Sequence, residues 1–138
     1  MLVTILLTLS SILFNPKKVL LGTWTGNLGG RNLTIVIEKI NGDKLSGYDL
    51  VGNDRYSLSG IFYEVEWDQP CTKAYEAVLA EEKGRFTGVF TIKFIGYEDQ
   101  KENDCGIICM GGLKGIDGQG EWKSYMGKRV REIFIFRK

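Results

Sequence analysis

A tryptophan set between two glycines near the start of the chain constrains the fold most strongly. Residues 20–26 read Leu-Leu-Gly-Thr-Trp-Thr-Gly, so Trp24 lies between Gly22 and Gly26. In a strand-rich chain of this length, Gly-x-Trp in the first strand is typical of a small closed β-barrel. We therefore predict that Trp24 is a core residue that plugs one end of a barrel, and that later strands wrap back onto it.

Alternating apolar and polar residues predict a succession of short strands. Leu33, Ile35 and Ile37, for example, share one face of a predicted second strand. The pattern apolar, hydroxyl, glycine, apolar recurs at 45–48, 58–61 and 86–89. One glycine within each strand lets a sheet coil sharply about its axis. The predicted fold class is all-β: a single antiparallel up-and-down β-barrel of about eight strands, with a two-sheet β-sandwich as the alternative.

The first residues differ in composition from the rest of the 138-residue chain. Residues 1–14 form an apolar segment that is too short to span a bilayer and matches the apolar region of a secretory signal. A basic stretch before it and an Ala-x-Ala site after it are missing, so a strand or short helix packed on the domain is the alternative. We predict one β-barrel domain at 15–138 and an exported, periplasmic or secreted location.

Composition argues against several classes of function. The sequence has no histidine, which excludes Ser-His and Cys-His nucleophile pairs, and its net charge of +1 does not favour nucleic acid or an anionic membrane as a partner. Glu64 and Glu66 share a strand face that is predicted to be solvated, and Glu38, Asp43 and Asp49 lack the spacing of metal ligands. We predict no enzymatic activity, no cofactor, no metal and no membrane span after the N-terminal segment.

Short motifs in both halves of the chain resemble a known family. Gly22-Thr23-Trp24, the Leu-Ser-Gly-Tyr at 45–48 and the stretch 54–60 resemble the opening half of the avidin and streptavidin family. Trp122-Lys123-Ser124, followed by Gly127, resembles the last loop and strand of that family. Because lipocalins and fatty-acid-binding proteins also carry Gly-x-Trp, calycin-like β-barrel is the broader class. The chain is also similar to small exported bacterial proteins of unknown function.

The biotin site that this resemblance implies does not carry over. Glycines occupy positions 26 and 30, where the family has polar ligands, no tryptophan occurs between 74 and 95, and the family's late aspartate meets Lys-Arg-Val at 128–130. A site that lacks its hydrogen-bonding groups loses most of its affinity, so we predict no tight biotin binding. The resemblance implies ligand-facing positions near Tyr48 and Trp122, and Asn27 is a third candidate ligand-binding residue.

The same resemblance implies a basic residue from the last strand lying over the Gly-x-Trp ring. The candidates are Arg131 and Arg137 at opposite ends of a predicted strand that begins near residue 129. The resemblance favours Arg137. The first strand is predicted at 19–26, however, so Trp24 lies late in it and pairs nearer the start of the last strand, which favours Arg131. Either contact would stabilise the plug by roughly 0.5–2 kcal/mol.

Three cysteines predict one disulfide and one free thiol. Cys71 lies between the predicted fourth and fifth strands, and Cys105 and Cys109 lie in the irregular segment 97–118. In an up-and-down barrel these two connections emerge at the same end, which predicts a bridge from Cys71 to Cys105 or to Cys109. We prefer Cys105, because Asn-Asp before it indicates an exposed loop and Ile-Ile before Cys109 indicates burial. The alternative is three reduced cysteines in a cytosolic protein.

These features favour a binding role over catalysis. We predict a non-catalytic exported barrel that binds a small apolar ligand; the alternative is a protein-binding or inhibitor-type module that acts through the loops at one barrel end. An open cavity would support the ligand, whereas a filled interior would support the protein partner. Five phenylalanines predicted to point inward favour a filled or narrow interior: Phe86, Phe90, Phe94, Phe134 and Phe136.

Overall fold

The computed structural model describes residues 15–138, and the predicted signal-like segment lies outside them. Eight strands close into one antiparallel barrel in the order β1-β10-β9-β6-β5-β4-β3-β2, and β7 and β8 form a separate two-stranded sheet. The prediction of an eight-stranded all-β barrel is confirmed, and the closed strand order excludes the sandwich. The strands are β1 (Gly22–Leu28), β2 (Arg31–Asn41), β3 (Lys44–Val51), β4 (Asp54–Val65), β5 (Thr72–Glu82), β6 (Phe86–Tyr97), β7 (Gln100–Asn103), β8 (Gly106–Cys109), β9 (Lys114–Ser124) and β10 (Val130–Arg137).

The two ends of the barrel differ in how they are covered. A short helix, α1 (Pro16–Leu20), and the β7–β8 hairpin lie at the end where β1 and β9 begin, which we call the closed end. The turns that join β1 to β2, β3 to β4, β5 to β6 and β9 to β10 form the opposite end, which we call the mouth. Because consecutive strands alternate in direction, each connection falls at one end or the other.

The predicted glycine repeat coincides with close approaches between neighbouring strands. A Cβ atom added at Gly47 would lie 1.9 Å from the carbonyl oxygen of Val36, and one added at Gly60 would lie 1.8 Å from that of Val78. No side chain fits at such a distance. Glycine therefore lets β3 and β4 bend tightly against their neighbours, as the repeat predicted.

Helix α1 replaces the predicted start of the first strand. The Asn15 side chain accepts a hydrogen bond from the Lys17 amide, and Pro16 occupies the first turn, where its missing N–H costs nothing. The prediction of a strand from Val19 was wrong because one turn of helix is too short to show a helical period. Strand β1 instead begins at Gly22.

A notch of paired glycines holds α1 against the barrel. Gly96 of β6 pairs with Gly115 of β9. A Cβ at Gly96 would lie 2.6 Å from Cγ2 of Val19, and one at Gly115 would lie 2.3 Å from the Val19 carbonyl oxygen. Val19 and Leu20 are consequently fully buried, and the helix covers the closed end.

Trp24 lies fully buried beneath that helix. Its indole Nε1 donates a hydrogen bond to the Leu20 carbonyl at 3.1 Å, and its ring meets Phe94 edge to face at 4.8 Å. The guanidinium carbon of Arg137 lies 4.6 Å from the centre of the ring. Trp24 is thus held between the helix, the core and the last strand, a position that plugs the barrel.

Arg137 binds the carbonyl groups that α1 leaves unpaired at its C-terminal end. Nη1 donates to Leu21 at 2.5 Å, Nη2 donates to Lys18 at 3.2 Å and to Val19, and Nε donates to Gly115 at 2.9 Å. The last residues of a helix have carbonyls without intrahelical partners, and a cation is favoured there. Burial lowers the pKa of Arg137, although the guanidinium stays charged at neutral pH.

The register of β1 against β10 decides between the two arginines. Trp24 pairs with Arg137, whereas Arg131 lies six positions earlier in the same strand and lines the mouth. The argument for Arg131 was wrong because Trp24 is the third residue of β1 rather than a late one. Because residues 19 and 20 belong to the helix, the first strand begins three residues later than predicted, and Trp24 lies near its start.

The same register turns the late phenylalanines outward. Side chains alternate along a strand, so an inward Arg137 requires inward Ile135 and Ile133, which are buried. Phe134 and Phe136 are 58% and 55% exposed, and the prediction that they point inward was wrong. Phe90 and Phe94 are fully buried as predicted, and Phe86 lies at the edge of the mouth with 37% exposure.

The disulfide joins Cys71 to Cys109, and Cys105 is a free, exposed thiol. The preference for Cys105 was wrong because the segment 97–118 folds into a hairpin. Cys109 pairs with Gln100 at the base of that hairpin, close to Cys71, while Cys105 lies in the turn at its tip. The predicted burial beside Cys109 was also wrong, since Ile107 and Ile108 are 50% and 45% exposed.

Substitution of Arg137 tests whether the closed end depends on it. We expect Arg137→Gln to lower the free energy of unfolding by roughly 2–4 kcal/mol, because several helix carbonyls lose their charged donor. Arg131→Gln removes the same group from the same strand at an exposed site and should change stability by less than about 0.5 kcal/mol. Urea titrations of both variants measure this, and equal losses would contradict the assigned role.

Thiol chemistry tests the disulfide. Without reductant, alkylation should label Cys105 alone, and peptide mapping should recover Cys71 joined to Cys109. The bridge spans 38 positions, so Cys109→Ser should cost about 4 kcal/mol of stability through the loop-closure entropy of the unfolded chain. Cys105→Ser is the matched control and should be nearly neutral. A Cys71–Cys105 peptide would contradict the assigned pairing.

Candidate functional site at the barrel mouth

The barrel is filled at the closed end and open at the mouth. An open cavity of about 780 Å³ lies among the mouth turns and the ends of the strands that they join. Beneath it the interior is occupied by side chains that are at most 1% exposed: Trp24, Ile35, Leu79, Phe90, Ile92 and Phe94. The expectation of a filled interior therefore holds for the lower barrel only, and the open space lies at the mouth.

Aromatic rings form much of the cavity wall. Tyr56 of β4, Phe86 of β6, Trp122 of β9 and Tyr125 of the following turn line it. Phe86 and Tyr125 contact each other edge to face, with ring centres 5.8 Å apart. Rings of this kind present flat apolar surface to a bound molecule at little cost in side-chain entropy.

The turn between β9 and β10 is held by its own hydrogen bonds. The Ser124 amide donates to the Arg129 carbonyl at 2.9 Å, and the Arg129 amide donates to Ser124 Oγ at 2.9 Å. Between them lies a single 3-10 turn, Tyr125–Gly127. These two hydrogen bonds hold the turn in place, and Tyr125, Lys128 and Arg129 of the turn line the cavity.

Positive charge dominates the rim of the cavity. Arg31 donates to the Val51 carbonyl at 2.9 Å and forms an ion pair with Asp54 at 3.2 Å. Within residues 15–138, the other four cations of the lining contact no carboxylate. The five cationic lining residues are Arg31, Arg85, Lys128, Arg129 and Arg131.

One carboxyl group, that of Glu81, lies at the floor. The register between β5 and β6 shifts at Glu81, leaving Thr87 as an extra residue in a β-bulge, which re-aims a side chain. Thr87 Oγ1 donates to Glu81 Oε1 at 2.8 Å, and Trp122 Nε1 donates to the same oxygen at 3.2 Å. Glu81 is 2% exposed, so its carboxyl anchors the wall from beneath rather than facing the solvent.

Asp49 lies fully buried next to Glu81. Neither of its oxygens receives a hydrogen bond from another described donor, and Glu81 Oε2 is also without one. Two neighbouring buried carboxyls repel each other when both are ionised. Burial, with charge repulsion from Glu81 as a smaller contribution, raises the pKa of Asp49 from 3.8 to about 9. Asp49 is therefore protonated at neutral pH.

Of the three candidate ligand-binding residues, Trp122 alone lines the cavity. Tyr48 lies on the outer face of β3, with the Arg55 guanidinium 3.8 Å from its ring centre, and Asn27 is exposed on β1. The inward residue next to Tyr48 is Asp49. The carboxyl pair was missed because an acidic residue in an alternating strand ordinarily indicates the solvent face; the available signal was that Asp49 keeps step with Leu45 and Val51.

Comparison with protein-family models, with curated proteins and with solved structures finds no match to this chain. The strand order itself shows a closed eight-stranded antiparallel barrel, which is consistent with a calycin-like barrel. No helix in the described part of the chain has the length and hydropathy needed to cross a membrane. Nor do three or more His, Cys, Asp or Glu side chains of residues 15–138 come together as metal ligands.

The raised pKa of Asp49 makes stability depend on pH. Between about pH 4 and pH 9 the folded protein holds a proton that the unfolded chain releases, so the free energy of unfolding falls as pH rises, by up to about 1.4 kcal/mol per pH unit. The contribution is fully present below pH 4. Asp49→Asn should remove this slope and gain stability relative to the native protein from pH 5 to pH 8.

Urea titrations at several pH values measure the effect, with Asp43→Asn as the control. Asp43 lies in the exposed turn between β2 and β3, so the same chemical change there should leave the pH profile parallel to that of the native protein. A profile for Asp49→Asn that also stays parallel would contradict a buried proton at this position.

Proposed function

We propose that the protein is a non-catalytic, exported barrel that binds a small molecule in its mouth. The observation that carries this proposal is the open cavity of about 780 Å³ above a fully packed lower barrel. Small-molecule sites are concave, largely preformed and lined by aromatic side chains with a few polar groups. The mouth has these properties, and its aromatic wall is anchored from beneath by Glu81.

Two observations support the non-catalytic part of the proposal. The sequence offers no histidine as a general base. The two buried carboxyls are poorly accessible to a substrate: Asp49 is fully buried, and Glu81, at the cavity floor, is 2% exposed and already binds Thr87 and Trp122. A group that exchanges protons with a substrate must come within hydrogen-bonding reach of it.

Export is supported by the cysteine pairing. The Cys71–Cys109 bridge ties the hairpin to the closed end, and such structural disulfides persist in oxidising compartments such as the periplasm or the cell exterior. The apolar composition of residues 1–14 agrees with this location.

A protein-binding module is the second candidate function, and the β7–β8 hairpin is the observation that favours it. All of its strand residues are exposed, including Ile107 and Ile108, and Met110 beside it is 58% exposed. Native mass spectrometry of the protein purified from its own source separates the candidates. A small-molecule adduct supports the mouth; a protein complex that Ile107→Ser with Ile108→Ser dissolves supports the hairpin.

Filling the mouth tests the first candidate directly. Leu28 lines the cavity and is 8% exposed, so Leu28→Trp places a large ring within it. A ligand that binds only the folded state raises the melting temperature, and a panel of small aromatic and aliphatic compounds can be screened by this shift. We expect Leu28→Trp to abolish the shift that the native protein shows.

The control is Leu50→Trp, the same change on the outer face of β3. Both variants must first show a cooperative melt, because overpacking near the core costs about 1–3 kcal/mol. Leu50→Trp should keep the full ligand-induced shift. The proposal fails if no compound of the panel stabilises the native protein, or if Leu28→Trp responds as the native protein does.

A further inference from the structure

Resting on that proposed function, we infer that the ligand of the mouth is a compact, planar anion: an aromatic acid that carries a carboxylate, sulfonate or phosphate group. The juxtaposition that carries the inference is a rim of cations without carboxylate partners in the described chain, around a set of aromatic rings, above a lower barrel that is filled by side chains. Charge selects the anion, the rings select a planar body, and the filled interior selects a compact one.

Four of the cations at the rim have no carboxylate partner within residues 15–138. Arg85, Lys128, Arg129 and Arg131 line the cavity without contacting a carboxylate of the described chain. Asp54, which pairs with Arg31 at the rim, also contacts Lys83, each at 3.2 Å. Clustered like charges raise the local concentration of a counter-ion, and guanidinium groups bind planar oxyanions through two donors.

Glu81 does not oppose an anion at the rim. It is the one acidic residue among the described residues that line the cavity, and it is 2% exposed. Its Oε1 already accepts hydrogen bonds from Thr87 and Trp122, which leaves little of the carboxyl free to face a ligand. The Arg129 guanidinium lies 6.0 Å from the centre of the Trp122 ring, so a cation flanks the ring that we expect the ligand to contact.

The shape of the cavity favours an aromatic acid over an alkyl one. A long acyl chain needs a deep apolar channel, but the interior beneath Trp122 is filled by Leu79, Phe90 and Ile92, which are at most 1% exposed. The space that remains lies at the mouth and is lined by Tyr56, Phe86, Trp122 and Tyr125. A flat ring system fits between such walls, since offset and edge-to-face contacts are favourable.

A matched pair of fluorescent probes tests the inference. Anilinonaphthalene sulfonate and N-phenylnaphthylamine share the same rings, and the first alone carries an anionic group. We expect the sulfonate to bind about tenfold more tightly at low salt, and this advantage to shrink at about 0.5 M salt, where exposed charges are screened within a few ångströms. Naphthoate should displace the sulfonate probe, whereas decanoate at the same concentration should not.

Charge variants locate the effect. Arg129→Gln with Arg131→Gln should weaken binding of the sulfonate by about five- to twentyfold and change binding of the neutral probe by less than about twofold. The control is Lys39→Gln with Lys44→Gln, which removes the same charge from exposed sites toward the closed end. The control should bind both probes as the native protein does, and Leu28→Trp should bind neither.

The outcomes separate this inference from the function on which it rests. Equal affinity for the two probes, or displacement by decanoate as strong as by naphthoate, would overturn the planar anion and leave a small-molecule site in place. Tighter binding of a polyanion such as an oligonucleotide, unaffected by Leu28→Trp, would overturn it in favour of a surface. If neither probe nor any panel compound binds in a way that Leu28→Trp blocks, the proposed function fails as well.

Discussion

The contact between Arg137 and Trp24 is the interaction on which the closed end depends. It joins the last barrel strand to the first, across the seam where β1 pairs with β10. The same guanidinium binds the carbonyls of α1, and the indole binds one more of them. One cation and one ring thereby join the first and last barrel strands, satisfy a helix end and cover the core, and this geometry requires the register that pairs Trp24 with Arg137.

This arrangement divides the barrel into two halves with different tasks. At the closed end, the helix, the plug and the disulfide-linked hairpin bury apolar surface and restrain the chain, which is where stability arises. At the mouth, aromatic and cationic side chains remain partly exposed and available. A buried carboxyl pair, Asp49 and Glu81, lies between the halves, and it fixes the Trp122 wall at the expense of a pH-dependent stability.

Period and glycine spacing made the barrel predictable, because each strand alternates cleanly and several carry a glycine at a close approach, as at Gly60. Shorter features were not predictable in this way. One turn of helix shows no period, and its omission displaced the register of Trp24. The Cys71 partner depended on where a hairpin turns, and four residues of strand carry too little pattern to decide that.

The candidate site was harder to predict than the fold. Trp122 was identified through a resemblance, but the rim cations come from turns that are distant in sequence, such as Arg85 and Arg129, and nothing local indicates that they meet. In sequence Asp49 shows only that it lacks the spacing of a metal ligand relative to Glu38 and Asp43, and Glu81, the acid beside which it is buried, lies 32 positions further along the chain. Only closure of the barrel brings the two together.

The short turns of the mouth have a consequence for ligand exchange. In the described chain the mouth connections are brief, with two residues between Leu28 and Arg31 and five between Ser124 and Val130. Segments this short cannot fold over the cavity as a flap. The small-molecule binding that we propose would then require no opening step, and the residence time of a bound molecule would depend on its contacts with the mouth. A site built in this way would exchange its ligand quickly with the surrounding solution rather than trap it.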